Sequence, residues 1–258
     1  MPKLAANLST LFKELPFLDR FAAAAAAGFR AVEYQYPYDL PPQEIAARAR
    51  DAGVQVVLHN MPRGDLQRSE HGTACLPGRE QRFRDDLEHA IEYARAAGCP
   101  RLHCMAGVSP SGFEKKAIHE TYVGNLRYAA KRLAEERMQV MIEPLSARTV
   151  AGCFLTGSAQ AVRVLDEVAA GNAYLQYDLF HMQIMEGNLA ETLERLLARI
   201  GHIQLADVPG RHEPGTGELN FDFLLRHIDR IGYSGWIGCE YNPLGDTLEG
   251  LKWAKPYL

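Results

Sequence analysis

Four polar side chains close four successive apolar runs in the second half of this 258-residue chain: Glu143, Asp178, Gln204 and Glu240. Three of them are carboxylates, and acidic groups ending apolar runs are seldom left without a partner. No Lys or Arg stands at those positions. If the four converge, a divalent cation is the simplest relief for three repelling carboxylates. Two Glu, one Asp and one amide carbonyl make an all-oxygen set that suits Mg²⁺ or Mn²⁺ better than a thiol-seeking ion. The alternative is a cluster neutralised by Lys or Arg. His181, three residues after Asp178, is placed to donate to a substrate oxygen, or else to support the ligands or cap a helix. Arg211 and His212 add positive charge near the same rim. The planar fork of Arg211 matches a substrate carboxylate, with surface pairing to Glu213 as the alternative. The adjacent Gly215-Thr216-Gly217 is weak evidence for a phosphate site, and a flexible turn explains it equally.

The elements that must position these residues recur along the chain: an amphipathic helix, a Gly-containing turn, a short apolar strand, then a polar residue where the strand stops. Strands are expected at Leu4–Asn7, Gly28–Glu33, Gly53–His59, Arg101–His103, Gln139–Glu143, Tyr174–Asp178, His202–Leu205 and Trp236–Glu240. Helical periodicity fills the gaps, most clearly over Glu80–Ala97, Lys115–Glu136, Ser158–Ala169, Leu189–Ile200 and Phe221–Ile231. Strands joined through helices run parallel, and eight such units in about 250 residues form a (β/α)8 TIM barrel. A doubly wound sheet is the runner-up, but Asn7-Leu8-Ser9-Thr10 stands where its Gly-rich phosphate loop belongs. One barrel domain over residues 1–258 is the economical reading. Catalytic groups then sit at the C-terminal strand ends, where Asn7, Glu33, His59 and His103 join the four above. His59 is expected to face the substrate, with a structural role as the alternative. The stretch from Met61 to Pro77 reads as a loop inserted after the third strand, either a lid or a solvated excursion.

Composition narrows the partners. Lys+Arg number 28 against 32 Asp+Glu, a formal charge of −4, and no basic block attracts nucleic acid or an anionic membrane. The 47% apolar content excludes a disordered chain. Five cysteines without a Cys-x-x-Cys pair read as reduced core residues of a cytoplasmic protein, and no signal peptide or membrane span is recognised. A small molecule is the expected partner, and a homo-oligomer stays open. Cys239 should face away from the mouth if Glu240 faces it, which disfavours thiol chemistry.

The segments Ala5-Ala6-Asn7-Leu8-Ser9, Val32-Glu33-Tyr34-Gln35-Tyr36-Pro37-Tyr38-Asp39, Leu76-Pro77-Gly78-Arg79-Glu80, Asn125-Leu126-Arg127-Tyr128-Ala129-Ala130 and Trp236-Ile237-Gly238-Cys239-Glu240-Tyr241 together resemble the hydroxypyruvate isomerase family, one of the xylose isomerase-like barrels. The resemblance runs nearly end to end. It implies metal ligation by Glu143, Asp178, Gln204 and Glu240, acid–base roles for Glu143 and Glu240, and His181 against the substrate, with no nicotinamide or flavin. Glu143-Pro144-Leu145-Ser146 departs from the family's usual Glu-Pro-Ile-Asn. With Met105-Ala106-Gly107-Val108 and Arg211-His212-Glu213-Pro214 it also resembles the related 2-oxo-tetronate isomerases. The implied reaction moves one proton between neighbouring carbons of a 2-oxo-3-hydroxy acid through an enediolate. Hydroxypyruvate to tartronate semialdehyde is the three-carbon case, and 2-dehydrotetronate to 3-dehydrotetronate the four-carbon one. A ketose epimerase or sugar-acid dehydratase would use the same cluster, an apurinic endonuclease would need several zinc ions and a basic groove, and a sugar-acid sensor would bind without turnover.

Overall fold

The structure, a computed structural model, describes residues 1–68 and 70–258. Strands β1 (Lys3–Asn7), β2 (Ala31–Tyr34), β3 (Gln55–Asn60), β4 (Arg101–His103), β5 (Gln139–Ile142), β6 (Ala173–Asp178), β7 (Ile200–Leu205) and β8 (Trp236–Cys239) pair in sequence order and close into a barrel. Every pairing is parallel, including β1 with β8, so the expected (β/α)8 topology is the observed one. The returning helices are α1 (Arg20–Ala26), α2 (Pro42–Ala52), α3 (Glu80–Ala97), α4 (Lys115–Glu135), α5 (Ser158–Val168), α6 (Leu179–Met185), α7 (Leu189–Leu196), α8 (Phe221–Arg230) and α9 (Thr247–Gly250). Among the described residues no helix is long and apolar enough to cross a membrane.

The longer helices form because their apolar residues fall on one stripe. In α8, Phe221, Leu224, Leu225 and Ile228 are buried at spacings of three and four, and the Asn220 side chain caps the helix by accepting from the Phe223 amide at 3.0 Å. Gly98, in the left-handed region at φ +64°, ends α3 and turns the chain toward β4. The main apolar core lies between sheet and helices, and Cys239 belongs to it, as strand alternation requires. A separate small cluster of Ala5, Ala31 and Val57, packed by Trp236, fills the lower barrel.

Above that cluster the interior turns polar, against the expectation of apolar layers throughout. Glu33, fully buried, accepts from Asn7 Nδ2 at 2.9 Å and Gln204 Nε2 at 2.8 Å, and lies 2.6 Å from His202 Nε2. Gly238 makes room for it, because a Cβ there would collide with the Glu33 carboxylate. A carboxylate this deep is tolerated because each oxygen has a partner.

Candidate active site

The cavity at the C-terminal mouth, about 110 Å³, is lined among others by Glu143, His181, Arg211 and Glu240 from β5 onward, and by Tyr36, Asn60 and His103 from β2 to β4. Glu143 and Glu240 stand one residue past the ends of β5 and β8. Asp178 ends β6, and its Oδ1 accepts from the Phe180 amide at 2.9 Å, so it also caps α6. That cap starts a short helix, and His181 rides on its first turn, buried.

The ligand atoms of Glu143, Asp178 and His181 lie within 4.8 Å of one another, a spacing that can hold one metal ion. Two of the four expected ligands, Glu143 and Asp178, belong to this group, and His181 joins them. Gln204 is the register partner of Asp178 on β7; its Nε2 donates to Glu33 and Glu240, and its Oε1 accepts from Gln176 Nε2 at 2.6 Å. Gln176 also donates to Glu143 Oε2 at 3.1 Å, so two amides form a ladder across the floor between Glu143 and Glu240. The reading of the sequence passed over Gln176. Its signal was position, two residues before Asp178 on the same inward face.

Arg211 supplies the positive charge that no strand end provides. Its Nη2 is 2.9 Å from Glu240 Oε1 and 3.4 Å from Asp178 Oδ2, and its guanidinium lies 5.0 Å from the Phe180 ring centroid. The alternative of surface pairing with Glu213 is excluded, since Glu213 accepts instead from the Leu244 amide at 3.0 Å. Arg211 adopts φ +56°, an uncommon conformation for a side chain with a Cβ, fixed by backbone bonds of its N–H to Asp207 and its carbonyl to the Asn242 amide. Buried Asp207 organises the rest of this loop. Its Oδ2 accepts from the amides of Gly215 and Gly217 at 2.9 Å each, so those glycine amides serve the turn and not a phosphate.

His59 does not reach the cavity. The β2–β3 register slips by one residue, from Val32↔Val56 to Glu33↔Leu58, leaving Val57 as a bulge. The bulge reverses the alternation, so that His59 pairs with Tyr34 on the outer face and stacks on its ring at 5.8 Å. Burial lowers the His59 pKa to about 4, and the ring is neutral there. Asn60, the last residue of β3, takes the inward place. The Met61–Pro77 loop, in its described part, is stitched to the β4–α4 loop by bonds from Val108 N to Glu70 O and from Cys75 N to Ala106 O. Glu70 is buried and pairs with Arg79 at 3.1 Å. Gly72, at φ +120°, lies so close to Met105 that a Cβ would strike its carbonyl. From Glu70 onward this segment is a packed wall that brings His71 to the cavity, while Arg63, Asp65, Gln67 and Arg68 are exposed to solvent.

Burial raises the pKa of Glu143 well above the usual carboxylate range, and the negative charges of Asp178 and Glu240 push the same way. Burial also raises Glu240, while Arg211 pulls it back down. Burial lowers His181 to about 4, against the opposing effect of Asp178. The Ser146 amide, which can only donate, points at His181 Nδ1 at 3.2 Å, so the ring proton sits on Nε2 and faces Asp178 Oδ2 at 3.5 Å. The donor chemistry therefore fits a divalent cation through the carboxylates of Glu143 and Asp178. His181 is an N–H donor beside them and would ligate only by giving up its bond from Ser146.

Residues 21–257 match the model of the xylose isomerase-like TIM barrel family. The chain is 47% identical to a 2-oxo-tetronate isomerase of Pectobacterium atrosepticum, over 100% of this chain and 98% of that protein. It is 46% identical to the hydroxypyruvate isomerase of Escherichia coli, over the full length of both. A crystal structure from Brucella melitensis, described as an AP endonuclease of family 2, superposes with a TM-score of 0.97 at 46% identity, covering 100% of this chain and 99% of that one. The chain belongs to the xylose isomerase-like TIM barrel family, and its full-length relatives place it among that family's isomerases.

Proposed function

We propose that the protein isomerises a short 2-oxo-3-hydroxy acid, converting hydroxypyruvate to tartronate semialdehyde by moving one proton from C3 to C2. The observation that carries this reading is the pair of buried carboxylates, Glu143 and Glu240, which face one small cavity and are both shifted toward neutrality. A cavity of about 110 Å³ lies well below the several hundred expected for a large ligand, and suits a substrate of few heavy atoms.

A carboxylate whose pKa is raised can take a carbon-bound proton when ionised and return one when protonated, so the pair supplies a base on one side of the reacting carbons and an acid on the other. One member removes the C3 proton to leave an enediolate, and the other protonates C2. The hydroxyl proton passes from O3 to O2, so composition is unchanged and no redox cofactor takes part. His181 Nε2–H is oriented to hydrogen-bond the substrate oxygens, held there by Ser146. Arg211 keeps Glu240 and Asp178 aligned. A divalent cation, Mg²⁺ or Mn²⁺, would be held by Glu143 and Asp178 and would supply charge stabilisation for the negative oxygens.

A second reading, 2-dehydrotetronate as substrate, is favoured by Leu145-Ser146. Leu145 lines the cavity and Ser146 sets the His181 ring, so these residues bear on substrate length. The nucleic-acid name of the Brucella relative is not carried over, because a net charge of −4 offers a phosphate backbone no general attraction. Proton NMR in D2O with each acid tests the reading. Deuterium at the reacting carbons together with the isomeric product is expected. Binding without exchange would make the protein a sensor, and loss of water would make it a dehydratase.

A further inference from the structure

The β5–β8 side of the cavity is rich in acceptors, whereas the β2–β4 side holds donors without a good acceptor. Tyr36 Oη donates to Met105 Sδ at 3.1 Å, and Asn60 Nδ2 donates to the same sulfur at 3.6 Å. A thioether is a weak acceptor, so two cavity-lining donors share one poor partner. His103 adds a third. Neither ring nitrogen has a hydrogen-bond partner, and Nδ1 lies 3.5 Å from Glu143 Oε2, so Nε2 is the nitrogen left without any acceptor. Arg63 stands beside this group, 4.8 Å from the Tyr36 ring centroid. Burial pushes the Tyr36 hydroxyl up to about 12, which keeps it a donor.

We propose that Tyr36 and Asn60, with His103 beside them, form the seat of a substrate carboxylate. A carboxylate brings only acceptors, about four lone-pair sites, to two N–H and O–H donors whose present partner is a thioether. A hydroxymethyl group in the same place would bring a further donor. The seat leaves Arg211 to the two carboxylates it already holds. Arg211 is therefore not the residue that receives the acid group. The corner selects acids over ketoses of equal length. This deepens the proposed reaction and rests on it only for the identity of the acid.

Calorimetric titration of the intact protein with D-glycerate, with neutral dihydroxyacetone as control, tests the seat. Tyr36→Phe and Asn60→Leu should each weaken glycerate binding about tenfold or more, the usual consequence of removing a hydrogen bond to a charged group. Dihydroxyacetone binding should change less than about twofold, and Arg211→Lys should change glycerate binding less than about threefold. Asn60→Asp keeps the side chain's size, reverses its character, and should abolish glycerate binding with an unaltered near-ultraviolet circular dichroism spectrum. Unchanged glycerate affinity in Tyr36→Phe and Asn60→Asp, or a larger loss in Arg211→Lys than in either, overturns the proposal. Glycerate bound through these residues by a protein that isomerises neither acid would leave the seat standing and reject the proposed reaction instead.

Discussion

Arg211 is the resident counter-charge of the acidic mouth, so its removal should be felt first in stability. At an effective dielectric of 20, unit charges 2.9 Å apart attract by roughly 6 kcal/mol, as for Glu240. At 3.4 Å, as for Asp178, the attraction is roughly 5 kcal/mol. Desolvating the guanidinium offsets much of this, and rupture of a buried pair by removing one partner leaves a net loss of about 3–5 kcal/mol. Arg211→Met keeps most of the volume and the packing on Phe180 while deleting the charge. For a chain of this length that loss should lower the melting temperature by roughly 6–20 °C. Thermal unfolding in the presence of a chelator measures it. Repeating the melt with Mn²⁺ should restore more stability to Arg211→Met than to the unsubstituted protein, since a cation on the carboxylates relieves the repulsion that Arg211 otherwise relieves. A variant melting within about 2 °C of the unsubstituted protein in chelator, an effect under roughly 1 kcal/mol, would show that Arg211 is not the counter-charge.

Glu143→Gln and Glu240→Gln should each reduce turnover by about 10²-fold or more, because each removes one member of the acid–base pair. Rates followed by NMR with protein confirmed as folded decide this, and near-normal turnover in either rejects its role. His59 is buried neutral, with a pKa near 4 against an ordinary value of 6.5, so the unfolded chain binds the extra proton as pH falls below 6.5 and stability is lost between 6.5 and 4. His59→Leu escapes this, and its stability relative to the unsubstituted protein should rise by about 2 kcal/mol between pH 7 and pH 5 in urea titrations; no change would place His59 in contact with water. Gly72→Ala forces a Cβ into the Met105 carbonyl at φ +120° and should cost roughly 2 kcal/mol or more in the same assay. A loss below about 0.5 kcal/mol would mean that the wall from Glu70 onward is loosely held.

The recurrence of helix, turn and short apolar strand made the barrel legible, because buried parallel strands write themselves as unbroken apolar runs. The same runs marked where Glu143, Asp178 and Glu240 would emerge, and the structure gathers them with His181 and Arg211 at one mouth. What stayed hidden depends on parity. A single bulge at Val57 turned His59 outward and Asn60 inward, and nothing in Gln55-Val56-Val57-Leu58-His59-Asn60 distinguishes that register from an unbroken strand. Tyr36, at the start of the loop after β2, was equally invisible as a donor, since an aromatic there reads as pocket wall until its hydroxyl is seen resting on a sulfur.

Gln204 shows why a residue's type and its strand do not by themselves fix which of its atoms does the work. An amide offers a lone pair to a metal and two N–H donors to carboxylates, and in sequence these are the same residue. Here the N–H₂ group is shared between Glu33 below and Glu240 above, and the carbonyl accepts from Gln176, which in turn holds Glu143. The buried Glu33 therefore acts at a distance. Fixed by Asn7 and His202, it anchors the amide that orients Glu240, while Gln176 carries the same constraint to Glu143. Two acid–base groups must hold their oxygens to within a fraction of an ångström of the reacting carbons, and a ladder of two amides beneath them does so without adding a charge to a crowded mouth.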